Sequence, residues 1–193
     1  MQIIILSGFL GSGKTTVLLE LGKYITEVRK ETIAIVENEI GKIGIDDKFI
    51  ENNGYQVKSL YAGCICCTMV TNLVECVIDL KDKNFDWIII ETTGVAYPDK
   101  VYENIEKYAG IKGKIVSIAD AERWKKLHAV AGELLTGQIK AADIVLINKI
   151  DLINDDELNQ IKDQMRLLNK EAYIYGISAK NKENKDVCQR ITE

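Results

Sequence analysis

A glycine-rich octet, Gly8-Phe9-Leu10-Gly11-Ser12-Gly13-Lys14-Thr15, separates the apolar run Ile3–Leu6 from an amphipathic stretch, Lys14–Val28. A strand followed by such a loop and then a helix is the context of a P-loop. There, successive backbone N–H groups curl around phosphate oxygens, and the helix N-terminus adds a partial positive charge. On this pattern Gly8, Gly11, Ser12, Gly13 and Thr16 belong to a phosphate cradle. Lys14 reaches the β- and γ-phosphates, and the Thr15 hydroxyl ligates Mg²⁺.

The rest of the chain alternates in the way such a loop requires. Short, nearly continuous apolar runs at Ile3–Leu6, Thr32–Val36, Trp87–Ile90, Lys114–Ile118, Ile144–Ile147 and Ala172–Tyr175 read as strands buried on both faces of a parallel sheet. Between them lie helix candidates at Lys14–Val28, Cys67–Lys81, Asp99–Tyr108, Glu122–His128 with a continuation to Lys140, and Asp155–Asn169. Tyr97-Pro98 reads as the turn before the third of these, and the charged run Lys180–Asp186 as a solvated face. The expected fold is α/β, a doubly wound, mainly parallel sheet of the P-loop NTPase kind. With 193 residues, the expected organisation is a single domain over 1–193. One stretch departs from the alternation. Glu37 to Leu60 is long, poor in helical pattern and carries Gly41, Gly44 and Gly54, which marks a functional loop rather than a connection.

Asn148-Lys149-Ile150-Asp151 ends the strand Ile144–Ile147, at the same sheet edge as the P-loop. A carboxylate at Asp151 accepts hydrogen bonds from the ring N–H and exocyclic amine of guanine, whereas adenine leaves it unpaired. Asn148 can bond the other edge of the base, and the Lys149 stem can lie over the ring. Ser178-Ala179-Lys180 follows the last strand and suits a backbone contact to the guanine carbonyl. Glu91-Thr92-Thr93-Gly94 ends the strand Trp87–Ile90. Glu91 can hold Mg²⁺ through water, and Gly94 can meet a γ-phosphate and swing away after hydrolysis. A guanine rather than adenine nucleotide is therefore expected, and a plain P-loop kinase or ATPase is disfavoured.

Five cysteines are present, three of them close together as Cys64, Cys66 and Cys67. Thiolate chemistry explains such a cluster better than disulfides do in a chain able to form its own core. Thiolates suit zinc, copper(I), cobalt or nickel. Neighbours this close cannot easily all chelate one ion. Two of the three, with a water or a partner's thiolate, would make an open and releasable site. Cys66 and Cys67 stand at the start of a helix, where the dipole favours thiolate. Cys76 and Cys188 read as buried small hydrophobes. The single histidine, His128, reads as an ordinary helix residue.

The charge balance narrows the partners. With 25 Lys+Arg against 29 Asp+Glu, the chain has no net positive field for nucleic acid or an anionic membrane. No apolar segment approaches the roughly 20 residues needed to span a bilayer, and the opening run is no signal peptide, so a cytoplasmic location is expected.

In order, Gly8–Thr16, Glu37-Asn38-Glu39-Ile40-Gly41, Gly44-Ile45-Asp46-Asp47, Gly63-Cys64-Ile65-Cys66-Cys67, Glu91–Gly94 and Asn148–Asp151 resemble the CobW-like GTPases. These are related to the urease and hydrogenase nickel-insertion GTPases and to the GTPase chaperone of methylmalonyl-CoA mutase. The resemblance runs through nearly the whole chain. It implies a Mg²⁺-dependent GTPase that couples GTP/GDP state to binding of a transition metal (Zn, Co or Ni) and its delivery to a client metalloprotein or corrinoid protein. It also implies that Glu39 joins Thr15 and Glu91 around Mg²⁺. Glu37, Cys64, Cys66 and Cys67 are the implied transition-metal ligands, and Glu37–Asp47 is a switch. Lys42 stands where the family often has an acid, and no C-terminal CobW-type domain or His-rich stretch is expected here. The alternative is a GTP-dependent chaperone of a corrinoid enzyme that carries no metal itself. Slow intrinsic hydrolysis is expected, because no arginine or glutamine stands out as placed to complete the site. A second subunit, as in a nucleotide-dependent homodimer, or a client would complete it.

Overall fold

The computed structural model describes residues 1–37, 56–59, 66–181 and 184–193, with 56–59 and 66–72 described by their backbone. The strands are β1 (Gln2–Ser7), β2 (Ile33–Glu37), β3 (Gln56–Ser59), β4 (Trp87–Glu91), β5 (Gly113–Asp120), β6 (Ile144–Asn148) and β7 (Tyr173–Ile177). Across the sheet they run β3-β2-β4-β1-β5-β6-β7, each neighbouring pair parallel. The helices are α1 (Lys14–Lys23), α2 (Cys66–Lys81), α3 (Pro98–Ala109), α4 (Trp124–Lys140), α5 (Asp155–Leu168) and α6 (Lys185–Ile191).

The expected doubly wound architecture is present, and the alternation of residues along each strand explains it. In β1, Ile3 and Ile5 join a core formed with Leu73 and Val77 of α2, Ile105 of α3, Ile139 of α4 and Met165 of α5. Ile4 and Leu6 point the other way, onto Val17, Leu18 and Leu21 of α1 and Ile191 of α6. Both faces of a strand are therefore apolar because each meets a helical layer. The strand order changes direction beside β1, with β4, β2 and β3 on one side and β5 to β7 on the other. In a parallel sheet all strand C-termini lie at one edge, and that reversal opens a crevice there.

Two elements escape the periodicity. β3 lies inside the stretch read as a loop. Among the described residues it pairs only with β2, at the edge of the sheet, and its Gln-Val-Lys-Ser sequence lacks the apolar run that a doubly buried strand needs. The charged segment before the C-terminus feeds α6, whose Cys188 and Ile191 are buried three residues apart while Lys185, Asp186 and Arg190 stay exposed. The described charged residues of the run, Lys180, Lys185 and Asp186, are exposed as expected, and the burial begins beyond it, at Cys188.

Other boundaries shift by a few residues for local reasons. After α1 the helix widens into a π-turn over Tyr24–Arg29 and stops at Lys30, whose φ is +59°. α4 is broken at Ala131 (φ −133°, ψ 29°), between the two parts expected from the sequence. Pro98 occupies the first turn of α3, where its missing N–H costs no helical bond. No helix among the described residues is long and apolar enough to cross a membrane.

Candidate functional site

Six strand ends deliver the candidate residues to one edge of the sheet. β1 runs into the P-loop, β2 ends at Glu37, β4 at Glu91, β5 at Asp120 and β6 at Asn148, while β7 leads to Ser178.

The P-loop turns back on itself through three glycines with positive φ: Gly8 (+139°), Gly11 (+75°) and Gly13 (+100°). Two of them also make room for neighbours. A Cβ at Gly8 would collide with the Ile118 carbonyl of β5, and one at Gly13 with the Asn148 side-chain amide. Inside this loop the buried Lys14 ammonium donates to the carbonyl of Gly8 (3.0 Å) and approaches that of Phe9 (3.5 Å). The ammonium is thus carried at the centre of the loop rather than out in solvent.

Thr15, the second residue of α1, donates its hydroxyl hydrogen to Glu91 Oε1 at 3.0 Å. Glu91 is buried at the end of β4, and Glu37 stands in register with it on β2. The Thr15 hydroxyl and the buried Glu91 carboxylate are hard oxygen donors of the kind Mg²⁺ takes, so the residues present fit that ion. Glu37, attributed to the transition metal from the sequence resemblance, ends β2 at this same edge of the sheet.

Asn148 ties three loops together. Its Nδ2 donates to the Ser12 carbonyl (2.8 Å), and its Oδ1 accepts the N–H groups of Lys149 (2.8 Å) and Ala179 (3.0 Å). Both lone-pair directions of the amide oxygen are engaged with backbone, which leaves one amide hydrogen for the outer edge of a base. The one side chain thus braces the loops and keeps the donor that its expected base contact needs. Lys149 takes a positive φ of 67° immediately after it. Beyond, the exposed Asp151 accepts a hydrogen bond from Ser178 Oγ at 2.6 Å, so the two base-reading segments already meet.

Sequence reasoning missed Asp120, Arg123 and Gln138. β5 extends two residues past the expected end, and Asp120 thereby pairs in register with Asn148. The Asp120 side chain is fully buried and binds Lys149 Nζ (2.6 Å) and Arg123 Nε (2.7 Å). Gln138, 2% exposed on α4, donates its side-chain amide to the carbonyls of Gly94 (3.2 Å) and Ala96 (3.0 Å). It thus pins the loop after β4 against the helix. At Gly94 a Cβ would lie 2.7 Å from the Leu10 nitrogen, so this loop touches the P-loop tip. The available signals were an acid ending an apolar strand and a glutamine on the buried face of an amphipathic helix.

Burial raises the Asp120 carboxyl, but hydrogen bonds from Lys149 and Arg123 outweigh it and hold the group below its ordinary range. A carboxyl held low contributes stability above its unfolded value near ~3.9 and loses it as pH falls through the lower folded value. The melting temperature of the wild-type protein should therefore fall more steeply below about pH 5 than that of Asp120→Asn. Thermal melts of both proteins across that range would check it, and parallel curves would contradict it.

The cysteine motif is only partly placed. Cys64 and Glu39 lie outside the described residues, and Cys66 and Cys67 open α2 by their backbone, as expected. Among the described residues no cluster of three or more His, Cys, Asp or Glu side chains could hold a metal. Cys76 and Cys188 are buried, as expected, and burial pushes the Cys188 thiol up to about 12.

Residues 2–175 match the family described as CobW/HypB/UreG, nucleotide-binding domain. The chain belongs to this family. The zinc chaperone YjiA of Escherichia coli (strain K12) is 28% identical over 191 residues, covering 91% of this chain and 57% of that protein. Zinc-regulated GTPase metalloprotein activator 1 of Dictyostelium discoideum is 29% identical over 218 residues, covering 90% of this chain and 45% of its own length. The chain thus spans about half the length of these curated relatives. In fold it is similar to HypB from Helicobacter pylori, crystallised in complex with nickel, with a TM-score of 0.74 at 19% identity, covering 100% of this chain and 86% of that one. The family domain accounts for the sheet through its last strand, and α6 lies beyond the matched residues.

Proposed function

We propose that this domain binds and hydrolyses GTP with Mg²⁺, and that its nucleotide state controls binding and release of a transition metal destined for a client metalloprotein. The observation that carries the nucleotide part is the Asn148 side chain, which joins the P-loop, the Asn148–Asp151 segment and the Ser178–Ala179 loop into one continuous wall. Asp151 supplies the acceptor for guanine N–H groups, with Ser178 fixing the carboxylate. Backbone N–H groups of Gly11, Gly13 and Lys14 would meet the phosphates, with Ser12 shaping the loop through its N–H to the Phe9 carbonyl, and the Lys14 ammonium adds charge there. Thr16 adds its donors at the start of α1, and Ala179 offers backbone N–H beside the base.

Thr15 and Glu91 would hold Mg²⁺, with Glu37 and Glu39 nearby in sequence or register, and the ion when bound neutralises charge on the phosphate oxygens. Gly94 senses the third phosphate through its backbone, because its loop already lies against Leu10.

Cys64, Cys66 and Cys67 are the proposed cargo site. Support comes from the zinc chaperone and the zinc-regulated GTPase among the relatives and from the chemistry of clustered thiolates. If GTP draws the switch segment and the cysteines together, linkage requires that the favoured metal tighten GTP binding by the same factor. Titration of zinc, cobalt and nickel against protein loaded with GDP or a non-hydrolysable GTP analogue tests this. Tighter metal binding in the analogue state is expected, lost on replacing all three cysteines by Ser while metal-free nucleotide affinity is kept. Equal affinity in both states would end the claim of gating. Absence of metal binding would favour a chaperone of a corrinoid protein.

A further inference from the structure

Arg123 bridges the base-reading and phosphate-reading halves of the candidate site. Its backbone N–H and its Nε both donate to the Asp120 carboxylate, at 3.0 and 2.7 Å. The guanidinium then reaches across to the P-loop, where Nη2 donates to the Leu10 carbonyl at 2.9 Å. Gly11 makes that approach possible. With φ of +75° and no side chain, it leaves the guanidinium against the loop backbone, where a Cβ would sit 2.8 Å from Nη2.

Leu10 is consequently held from two sides. Its nitrogen faces Gly94 and its carbonyl is gripped by Arg123. The same Asp120 oxygen that binds Arg123 Nε also binds Lys149 Nζ, the lysine of the base-reading segment. A planar fork is needed for this arrangement. Guanidinium N–H groups diverge in fixed directions and can serve a carboxylate and a carbonyl together, whereas an ammonium is a point donor on a flexible stem.

We propose that Arg123 is a positioning residue for the third phosphate. By spanning Asp120 and Leu10, it fixes the P-loop tip against which Gly94 closes. This rests on the GTP reading above and adds a residue to it. Arg123 acts through Leu10, so its loss should discriminate between nucleotides by phosphate number and leave base reading intact. Asp120, which serves both cations, should affect both.

The test measures affinities of the full chain for GDP, inosine diphosphate and a non-hydrolysable GTP analogue. In Arg123→Ala the analogue should weaken about tenfold, the scale of one charge-assisted hydrogen bond, while GDP changes by less than about threefold and GDP-over-inosine preference is kept. Arg123→Lys, which preserves charge and bulk, should recover only part of the analogue affinity. Asp120→Asn should reduce both analogue affinity and guanine preference. Equal weakening of GDP and analogue, unchanged analogue binding, or full recovery in Arg123→Lys would overturn the proposal. If Arg123→Ala does not fold, the Arg123→Lys comparison alone decides, through the same analogue-to-GDP ratio. Wild-type protein binding neither guanine nucleotide would overturn the GTP reading and this inference together. Binding by the wild type with an unaltered ratio in the variants overturns this inference only.

Discussion

Replacing Lys14 by Ala should lower GTP turnover by about 10²–10³-fold or more, the scale set by removing one preorganised donor from developing negative charge. The ammonium is buried and held within the loop by the carbonyls of Gly8 and Phe9. Its loss therefore removes a charge whose place is already fixed, so no reorganisation masks the effect. The loop carbonyls also lose their donor, which predicts a lower melting temperature. Lys14→Gln retains a hydrogen-bond donor, one atom shorter and without the charge, and separates the two consequences. Phosphate release is the readout. Turnover near wild type in protein free of contaminating GTPase would refute the assignment of the P-loop lysine.

That assignment was legible because the P-loop is local. Gly8 to Thr15 is one unbroken segment, and the flanking Ile3–Leu6 and Lys14–Val28 announce strand and helix through their own periodicity. Asn148 to Asp151 is local in the same sense, since its position at the end of β6 follows from the apolar run before it. The parallel sheet then brings the two together without further information from side chains, because all strand C-termini share one edge.

Asp120, Arg123 and Gln138 were not legible for the converse reason. Asp120 matters because β5 pairs with β6 in a register that sets it beside Asn148, and no residue near Asp120 in sequence encodes that register. Arg123 meets Leu10 across 113 positions, and Gln138 meets Gly94 across 44. Gln138 lies on α4 and Arg123 caps its N-terminus, so a helix read only as a covering layer also braces two loops of the site. β3 and α6 were missed on a different ground. An edge strand has one sheet neighbour, and a short helix needs few buried residues, so neither shows the apolar density on which the reading relied.

The Asp151→Asn variant should move preference from guanosine to xanthosine triphosphate. Guanine presents a ring N–H and an exocyclic amine, both donors, to the Asp151 carboxylate. Two hydrogen bonds to a charged acceptor are worth about 3–6 kcal/mol, or roughly 10²–10⁴-fold in affinity. Asn keeps one acceptor for the ring N–H but turns a donor toward the amine, so GTP should lose most of that amount. Xanthine carries a carbonyl where guanine has the amine and restores the match. Ser178 Oγ donates to Asp151 Oδ1 at 2.6 Å, which orients the side chain and predicts that the Asn oxygen will take the same place. Its Nδ2 then faces the exocyclic position of the base. Competition of GTP, xanthosine triphosphate and ATP against one fluorescent analogue, on wild type and variant, measures the exchange. Equal binding of GTP and ATP by the wild type would remove the guanine reading altogether. A variant that keeps its preference for GTP would place the specificity in the Ser178–Ala179 loop instead, since Asn148 and its hydrogen bond to the Ala179 N–H are untouched by the substitution.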